Sequence, residues 1–240
     1  GGAPTASADP YGLRRAALGL LETAISTGMR LDVARAARES SKLQPVEVTD
    51  ESLAGATQFV ARRLEQLLID RGLPVEAVRG ALGSGRSNDP ALAAKTAEEL
   101  AAALEESLSS SSSSSSSPLR VAIEALSRPA RITRSAEMPP ASLAVDESLF
   151  DCDEERALAA ALKATKQQLL GSDASSLSSV SVGNFLAAVG QHLPGPVAAF
   201  FDSVFVMCED PKVKNNRLAL LREVAGLSEG VVKFDELPGF

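Results

Sequence analysis

The sequence contains few of the residues that build zinc sites, disulfide frameworks and β-sheet cores. Its 240 residues include two cysteines, one histidine and no tryptophan, and aromatic residues make up only 4%. Cys152 and Cys208 lie far apart and neither has a CxxC partner, which argues against both a disulfide framework and a zinc site and suggests a reducing compartment. No apolar run approaches the roughly 20 residues of a membrane-spanning helix, so no membrane partner is expected.

The sequence also lacks a recognisable catalytic group or metal site. His192 follows an apolar helical stretch and precedes Pro194, so we expect a helix-end or core position for it. The Gly83–Gly85 loop has no Lys-Ser/Thr after it, as a phosphate-binding loop requires. The acidic segment 151–155 lacks the glycine and the ligand spacing of a calcium loop and is more typical of a solvated helix start.

Leucine and alanine at helical spacing dominate the rest of the chain and predict an all-α fold, packed as one or more bundles. Apolar residues make up 45% of the sequence, and no convincing strand alternation is present. Asp9-Pro10, Thr49-Asp50 and Asp89-Pro90 each combine a capping side chain with a favourable first helical residue. We predict an irregular segment over 128–145 and helices over 10–27, 31–39, 50–71, 74–82, 90–108, 118–127, 151–170, 177–193, 196–208 and 211–227.

A tract of nine serines, 109–117, interrupts this helical pattern. Serine cannot bury enough apolar area to offset the entropy of ordering, so the tract is predicted to be a disordered insertion. It divides the chain into an N-terminal helical part, 1–108, and a C-terminal helical bundle, 118–240. The sequence begins with glycine, from which we expect it to be a piece of a longer polypeptide.

The net charge of −7 argues against indiscriminate binding to nucleic acids. Basic and acidic residues balance over 1–90, and the acidic excess lies in the remainder of the chain. Any surface that binds RNA must therefore be a local basic patch.

Four stretches nevertheless carry distinctive motifs: Asp-Pro-Tyr-Gly-Leu-Arg-Arg within 9–19, Phe-Val-Ala-Arg-Arg-Leu at 59–64, a basic turn at 127–134 and two apolar helices around an acidic-Pro corner at 200–221. In this order they resemble the β region of glycyl-tRNA synthetases, and in particular its plant and algal organellar form. The first two are similar to the family's Asp-Pro-aromatic-Ala-Leu-Arg-Arg element and Phe-x-x-x-Arg-Leu helix, and the last to the final helices of its anticodon-binding bundle. Gly12 replaces the usual alanine, at an expected cost of about 1 kcal/mol in helix propensity. The ending 237–240 is also similar to the organellar group.

The resemblance implies a non-catalytic, tRNA-binding C-terminal part of glycine–tRNA ligase, an aminoacyl-tRNA synthetase of protein biosynthesis. Its bundle would be of the kind named for an Asp-Ala-Leu-Arg motif and would recognise the anticodon stem-loop of glycine tRNA. Glycine activation, with ATP and Mg, would take place in the catalytic α portion of the same enzyme, which serves the chloroplast or the mitochondrion. A homodimer formed through the parent enzyme is a further expectation. The alternative is a structural or subunit-contact bundle without tRNA recognition.

Helical geometry sorts the basic residues into structural and RNA-facing candidates. Arg217 falls in the middle of the apolar arc of the last helix, where it would need a buried carboxylate, and Asp202 is the expected partner. Tyr11 could stack on a base or simply pack. Residues 128–134 hold the densest positive patch, for which a solvated basic turn or a basic cluster at a helix C-terminus is the alternative. The RNA-binding candidates are Arg15, Arg62, Arg128, Arg131, Arg134, Lys212, Asn215 and Asn216.

Overall fold

The computed structural model describes residue 9 and residues 11–109, 117–171 and 180–240. Within these residues the chain is all-α, as predicted, and has no strand. No helix in the described part of the chain is long and apolar enough to cross a membrane. The helices are α1 (Leu13–Thr27), α2 (Val33–Ser41), α3 (Asp50–Asp70), α4 (Val75–Leu82), α5 (Pro90–Ser109), α6 (Pro118–Ser135), α7 (Asp153–Leu170), α8 (Val182–His192), α9 (Pro194–Ser203) and α10 (Pro211–Ala225).

The fold divides into two compact units. The N-terminal unit comprises described residues up to Ala101 together with Asp235–Leu237, and the C-terminal unit comprises Ala102–Phe234 and Pro238–Phe240. The division falls inside α5, whereas the serine tract begins at the last residue of that helix. The predicted domain limits, 1–108 and 118–240, stay a prediction.

Each unit has its own apolar core. In the N-terminal unit α3 packs against α1, α2 and α4, with Leu21, Leu64 and Leu68 buried. In the C-terminal unit α6 packs against α8, α9 and α10, and α7 packs against the same three helices. Phe185 and Phe200 are fully buried there. Burying such rings and leucines supplies most of the free energy that stabilises each bundle.

Local capping explains why several helices begin where the sequence predicts. The Thr49 hydroxyl accepts a hydrogen bond from the Ser52 N–H at 3.2 Å, and the Asp210 carboxylate accepts from the N–H groups of Lys212 and Val213. These bonds satisfy N–H groups that have no partner inside their own helix.

The start of α1 differs from the prediction. The helix begins at Leu13, and the Asp9 carboxylate accepts hydrogen bonds from the N–H groups of Leu13 and Arg14. Gly12 precedes the helix with a φ of 64°, a left-handed conformation that glycine adopts without strain. The expected loss of helix propensity at Gly12 was therefore wrong, because the residue lies outside the helix.

Helix α6 continues beyond its predicted end at Ser127, through Pro129, to Ser135. Proline lacks the N–H for one helical hydrogen bond, which is why the sequence predicts an irregular segment from residue 128. Pro129 and Ala130 are buried in the bundle, and this burial outweighs the local preference. The three candidate arginines of the predicted basic turn therefore lie on a helix.

The two ends of the serine tract belong to helices. Ser109 is the last residue of α5, and the Ser117 hydroxyl caps α6 by accepting from the Arg120 N–H at 3.3 Å. Residues 110–116, on which the predicted disorder falls, lie outside the described residues. Residues 177–179, predicted as helix, also lie outside them, and Ser181 caps α8.

Candidate RNA-binding surface

Arg217 is buried in the C-terminal unit, as the helical pattern predicts, but its carboxylate partner is not the expected one. The side chain is 8% exposed, and Nε donates to Glu155 Oε1 at 2.8 Å. Nη2 donates to Asp151 Oδ2 at 3.2 Å, and Nη1 donates to the Phe205 carbonyl at 3.1 Å. Asp202 is exposed near the end of α9, and the expected Asp202–Arg217 pair does not form.

Glu155 is the buried half of this ion pair and is only 1% exposed. Burial disfavours its charged form, but hydrogen bonds from Arg217 and from the Asp151 N–H outweigh burial, and its pKa lies below the ordinary glutamate value. The hydrogen bond to Glu155 in turn raises the pKa of Arg217. The interpretation of 151–155 as a solvated helix start was therefore wrong for Glu155, which is a charged group inside the bundle.

Asn216, predicted to face RNA, is buried as well and is 2% exposed. Its Oδ1 accepts from the Asp146 N–H at 2.8 Å, and its Nδ2 donates to the Asp146 carbonyl at 2.9 Å. Both polar atoms of the amide are thus used inside the fold. The prediction failed because the irregular segment between α6 and α7 covers this side of α10, where Arg222 also donates to the carbonyls of Pro139, Pro140 and Leu143.

Lys212 and Asn215 remain at the surface. Lys212 is exposed in the first turn of α10, and Asn215 is half-buried one turn later. Lys212 makes no ion pair with any described residue. The first turns of α10 therefore present a cation and an amide to solvent, while the following residues, Asn216 and Arg217, hold the fold together.

Three exposed arginines follow one another along α6 at intervals of three residues: Arg128, Arg131 and Arg134. We call them the α6 arginine face, since residues three apart on a helix are neighbours on its surface. The Arg128 Cζ lies 4.4 Å from the centroid of the Phe201 ring, and the Arg134 Cζ lies 5.5 Å from that of Phe240. Arg128 and Arg131 form no ion pair within the described residues. Two guanidinium groups thus lie over aromatic rings, and the positive charges of Arg128 and Arg131 are left for an anionic ligand.

The remaining candidates belong to the N-terminal unit. Arg15 on α1 and Arg62 on α3 are both exposed, and Tyr11 is exposed just before α1. This unit therefore presents separate cations and an accessible ring, and the described contacts do not assemble them into a cluster.

His192 has a helix-end role, as predicted. It is the last residue of α8, and its Nε2 lies 2.8 Å from Gln168 Oε1 on α7. Among the described residues no group of three histidine, cysteine, aspartate or glutamate side chains is arranged to hold a metal ion. The C-terminal unit instead presents cations, amides and aromatic rings, which can bind a ligand through charge, hydrogen bonds and stacking.

Comparison with known proteins relates both units to one family. A family model described as the glycyl-tRNA synthetase beta subunit matches residues 1–83. A chloroplastic/mitochondrial glycine–tRNA ligase of Arabidopsis thaliana is 34% identical over 237 residues, which are 99% of this chain and 20% of that protein. The chain is homologous to the glycyl-tRNA synthetase β subunit.

Bacterial relatives agree with this assignment. The glycine–tRNA ligase β subunits of Halalkalibacterium halodurans and Syntrophotalea carbinolica are each 31% identical, over 98% of this chain and 32% of their own length. The chain thus spans between a fifth and a third of the length of these relatives. Because the similarity continues far beyond residue 83, the β-subunit relationship includes the C-terminal unit and its α6 arginine face.

Proposed function

We propose that this chain is a tRNA-binding part of a glycine–tRNA ligase and that its C-terminal unit binds the anticodon stem-loop of glycine tRNA. The observation that carries the proposal is the α6 arginine face on a β-subunit homologue. The chain would support ATP-dependent glycylation of tRNA at an active site in the catalytic α portion, to which ATP and Mg would bind. The organellar name of the Arabidopsis relative supports a site of action in the chloroplast or the mitochondrion.

The physical argument rests on how guanidinium groups meet RNA. Phosphates supply most of the affinity, and loops of single-stranded RNA offer bases for stacking and hydrogen bonding. The Arg128 Cζ lies 4.4 Å from the centroid of the Phe201 ring, and a guanidinium placed over a ring can still donate hydrogen bonds from its N–H groups. A local row of cations of this kind accounts for RNA binding by a chain whose net charge is −7.

The proposed surface therefore consists of Arg128, Arg131, Arg134, Lys212 and Asn215. Asn216 is removed from the set because both of its polar side-chain atoms bind Asp146. Arg15 and Arg62 stay proposed contacts for a second part of the tRNA, made by the N-terminal unit.

Filter binding of the full chain to a glycine tRNA transcript across a range of salt concentrations tests this proposal. We expect Arg131→Ala to weaken binding and to reduce the slope of log K against log salt by about one, the value for one lost phosphate contact. Because Arg131 is exposed, the melting temperature should not change. Lys163→Ala, which removes an exposed cation of α7 in the same unit, is the matched control and should bind as the wild type does.

The outcome that contradicts the proposal is an absence of wild-type binding even at low salt. Recognition of the anticodon is tested separately by replacing the two cytosines common to glycine anticodons. An unchanged affinity for that transcript would show that the chain contacts only the RNA backbone.

A second candidate function is contact with another portion of the ligase through the N-terminal unit. Leu13 and Leu20 lie seven residues apart on α1, share one side of that helix and are exposed. If they contact the catalytic portion, the full chain should co-purify with that portion, and Leu20→Glu should abolish this without altering tRNA binding. Co-purification that survives Leu20→Glu would reject this contact.

A further inference from the structure

Phe205 is the one phenylalanine that the fold leaves in water. All eight phenylalanines of the chain lie in its described part, and seven of them are buried or half-buried. The Phe205 side chain is 74% exposed, on the short loop between α9 and α10. A large ring in water forgoes the stabilisation that burial would supply, so packing does not explain this residue.

The loop displays the ring on an anchored backbone. Val204 and Val206, on either side of Phe205, are 8% and 5% exposed. With both neighbours packed into the unit, the side chain between them points outward, as alternate residues do in an extended segment. The ring is therefore held at the surface by its neighbours, which distinguishes it from a side chain on a mobile tip.

The buried Arg217–Glu155 ion pair also holds the backbone at Phe205. Arg217 Nη1 donates to the Phe205 carbonyl at 3.1 Å, and the guanidinium is held by Glu155 at 2.8 Å. A ring on a backbone already ordered in this way loses little conformational entropy when it binds a ligand. Arg217 is thus a positioning residue for the exposed ring.

The ring also lies within reach of the α6 arginine face. The Arg128 Cζ lies 4.4 Å from the centroid of the Phe201 ring. The Cα atoms of Phe201 and Phe205, four residues apart, are separated by at most about 14 Å. A strand of RNA whose phosphates lie on Arg128 and Arg131 can therefore bring a neighbouring base to Phe205.

Three of the five carboxylates near the loop are engaged. Glu155 and Asp151 bind Arg217, and Asp210 accepts the N–H groups that begin α10. Asp202 and Glu209 stay exposed on either side of Phe205, and the exposed cation Lys212 follows in the first turn of α10. Next to two exposed carboxylates, the ring suits a neutral nucleobase better than a phosphate.

We propose that Phe205 is a stacking platform for one unpaired base of the bound tRNA, a role that rests on the tRNA-binding function proposed above. Aromatic side chains stack on unpaired bases of any identity and hold them for reading by neighbouring donors and acceptors. Asn215 on α10 supplies an amide of that kind. The ligand class is a single-stranded nucleobase of the anticodon loop.

Substitutions at residue 205 in the full chain separate stacking from other contacts. With a glycine tRNA transcript, Phe205→Ala should lower the affinity by on the order of ten-fold at every salt concentration and leave the salt slope unchanged, because stacking releases no counterions. Phe205→Tyr should bind like the wild type, since it keeps a planar ring, whereas Phe205→Leu should bind like Phe205→Ala. Leu43→Ala, which removes an exposed apolar side chain of the N-terminal unit, is the matched control.

The absence of tryptophan from the chain supplies a direct readout. Phe205→Trp introduces a single indole, whose fluorescence a stacked base should quench when the transcript is added. Quenching together with the loss of affinity in Phe205→Leu supports the proposal. Wild-type affinity in Phe205→Ala or in Phe205→Leu, or unchanged emission with tRNA bound, overturns it while leaving the proposed function standing. Failure of the wild-type chain to bind tRNA at all refutes the proposed function itself.

Discussion

Removing Arg217 tests whether the buried ion pair stabilises the C-terminal unit. In Arg217→Ala the Glu155 carboxylate, 1% exposed, keeps its burial and loses the hydrogen bonds that Arg217 donates at 2.8 and 3.4 Å. Breaking a buried pair in this way costs about 3–5 kcal/mol, because the remaining buried charge has lost its counter-ion. For a chain of this size that corresponds to a fall in melting temperature on the order of 10 °C.

Three single variants and one double variant test whether the loss of stability comes from the Arg217–Glu155 pair. Glu155→Gln should be nearly as destabilising as Arg217→Ala, since it leaves the guanidinium buried. Asp151→Asn should cost much less because the Asp151 side chain is 64% exposed. Asp202→Asn should have no effect, since Asp202 does not contact Arg217. The double variant Glu155→Gln/Arg217→Met should be more stable than the sum of its single changes predicts, because neither charge remains.

The pH dependence supplies an independent check. The pKa of Glu155 is lower in the folded state than in the unfolded chain, so its ionisation stabilises the fold. This stabilisation is fully present above the pKa that Glu155 has in the unfolded chain. It is lost as the pH falls through the pKa of the folded state. The defect of Arg217→Ala should therefore be large at neutral pH and shrink as the pH falls through the depressed pKa of Glu155, below which this carboxyl is neutral. Urea unfolding followed by circular dichroism measures both quantities. A pH-independent defect, or Asp202→Asn as destabilising as Glu155→Gln, would refute the assignment.

The remaining predictions concern residues whose roles the structure reassigns. Asn216→Ala should lower the free energy of unfolding by about 2 kcal/mol, through two lost buried hydrogen bonds to Asp146, and a stable variant with weakened tRNA binding would contradict this. Gly12→Ala should lower the free energy of unfolding by about 1–2 kcal/mol in thermal melts, because a φ of 64° is strained for alanine. A variant more stable than the wild type would instead indicate that residue 12 lies inside the helix. Arg222→Ala should increase proteolysis of the segment at 139–143, because that segment loses three hydrogen bonds from one guanidinium. Unchanged cleavage would show that Arg222 does not hold the segment in place.

Most of the helical framework could be predicted because the signals that define it are local. Thr49 and Asp210 cap helices that begin one residue later, and the leucines of α3 recur at the helical period. Such patterns act over three or four residues, within reach of a single side chain. The same local geometry correctly placed Arg217 on a buried face of α10.

Tertiary packing, by contrast, determines which groups the buried polar residues contact. Asp202 and Glu155 are both acidic residues near helix ends, and nothing local distinguishes them as partners for Arg217, which is far from Glu155 in sequence. Pro129 stays helical because the bundle buries it, and Asn216 is buried because an irregular segment covers it. The exposure of Phe205 depends likewise on the burial of both its neighbours. Sequence alone determined the helices and the family resemblance, whereas the ion pair, the α6 arginine face and the displayed ring follow from contacts between residues distant in the chain.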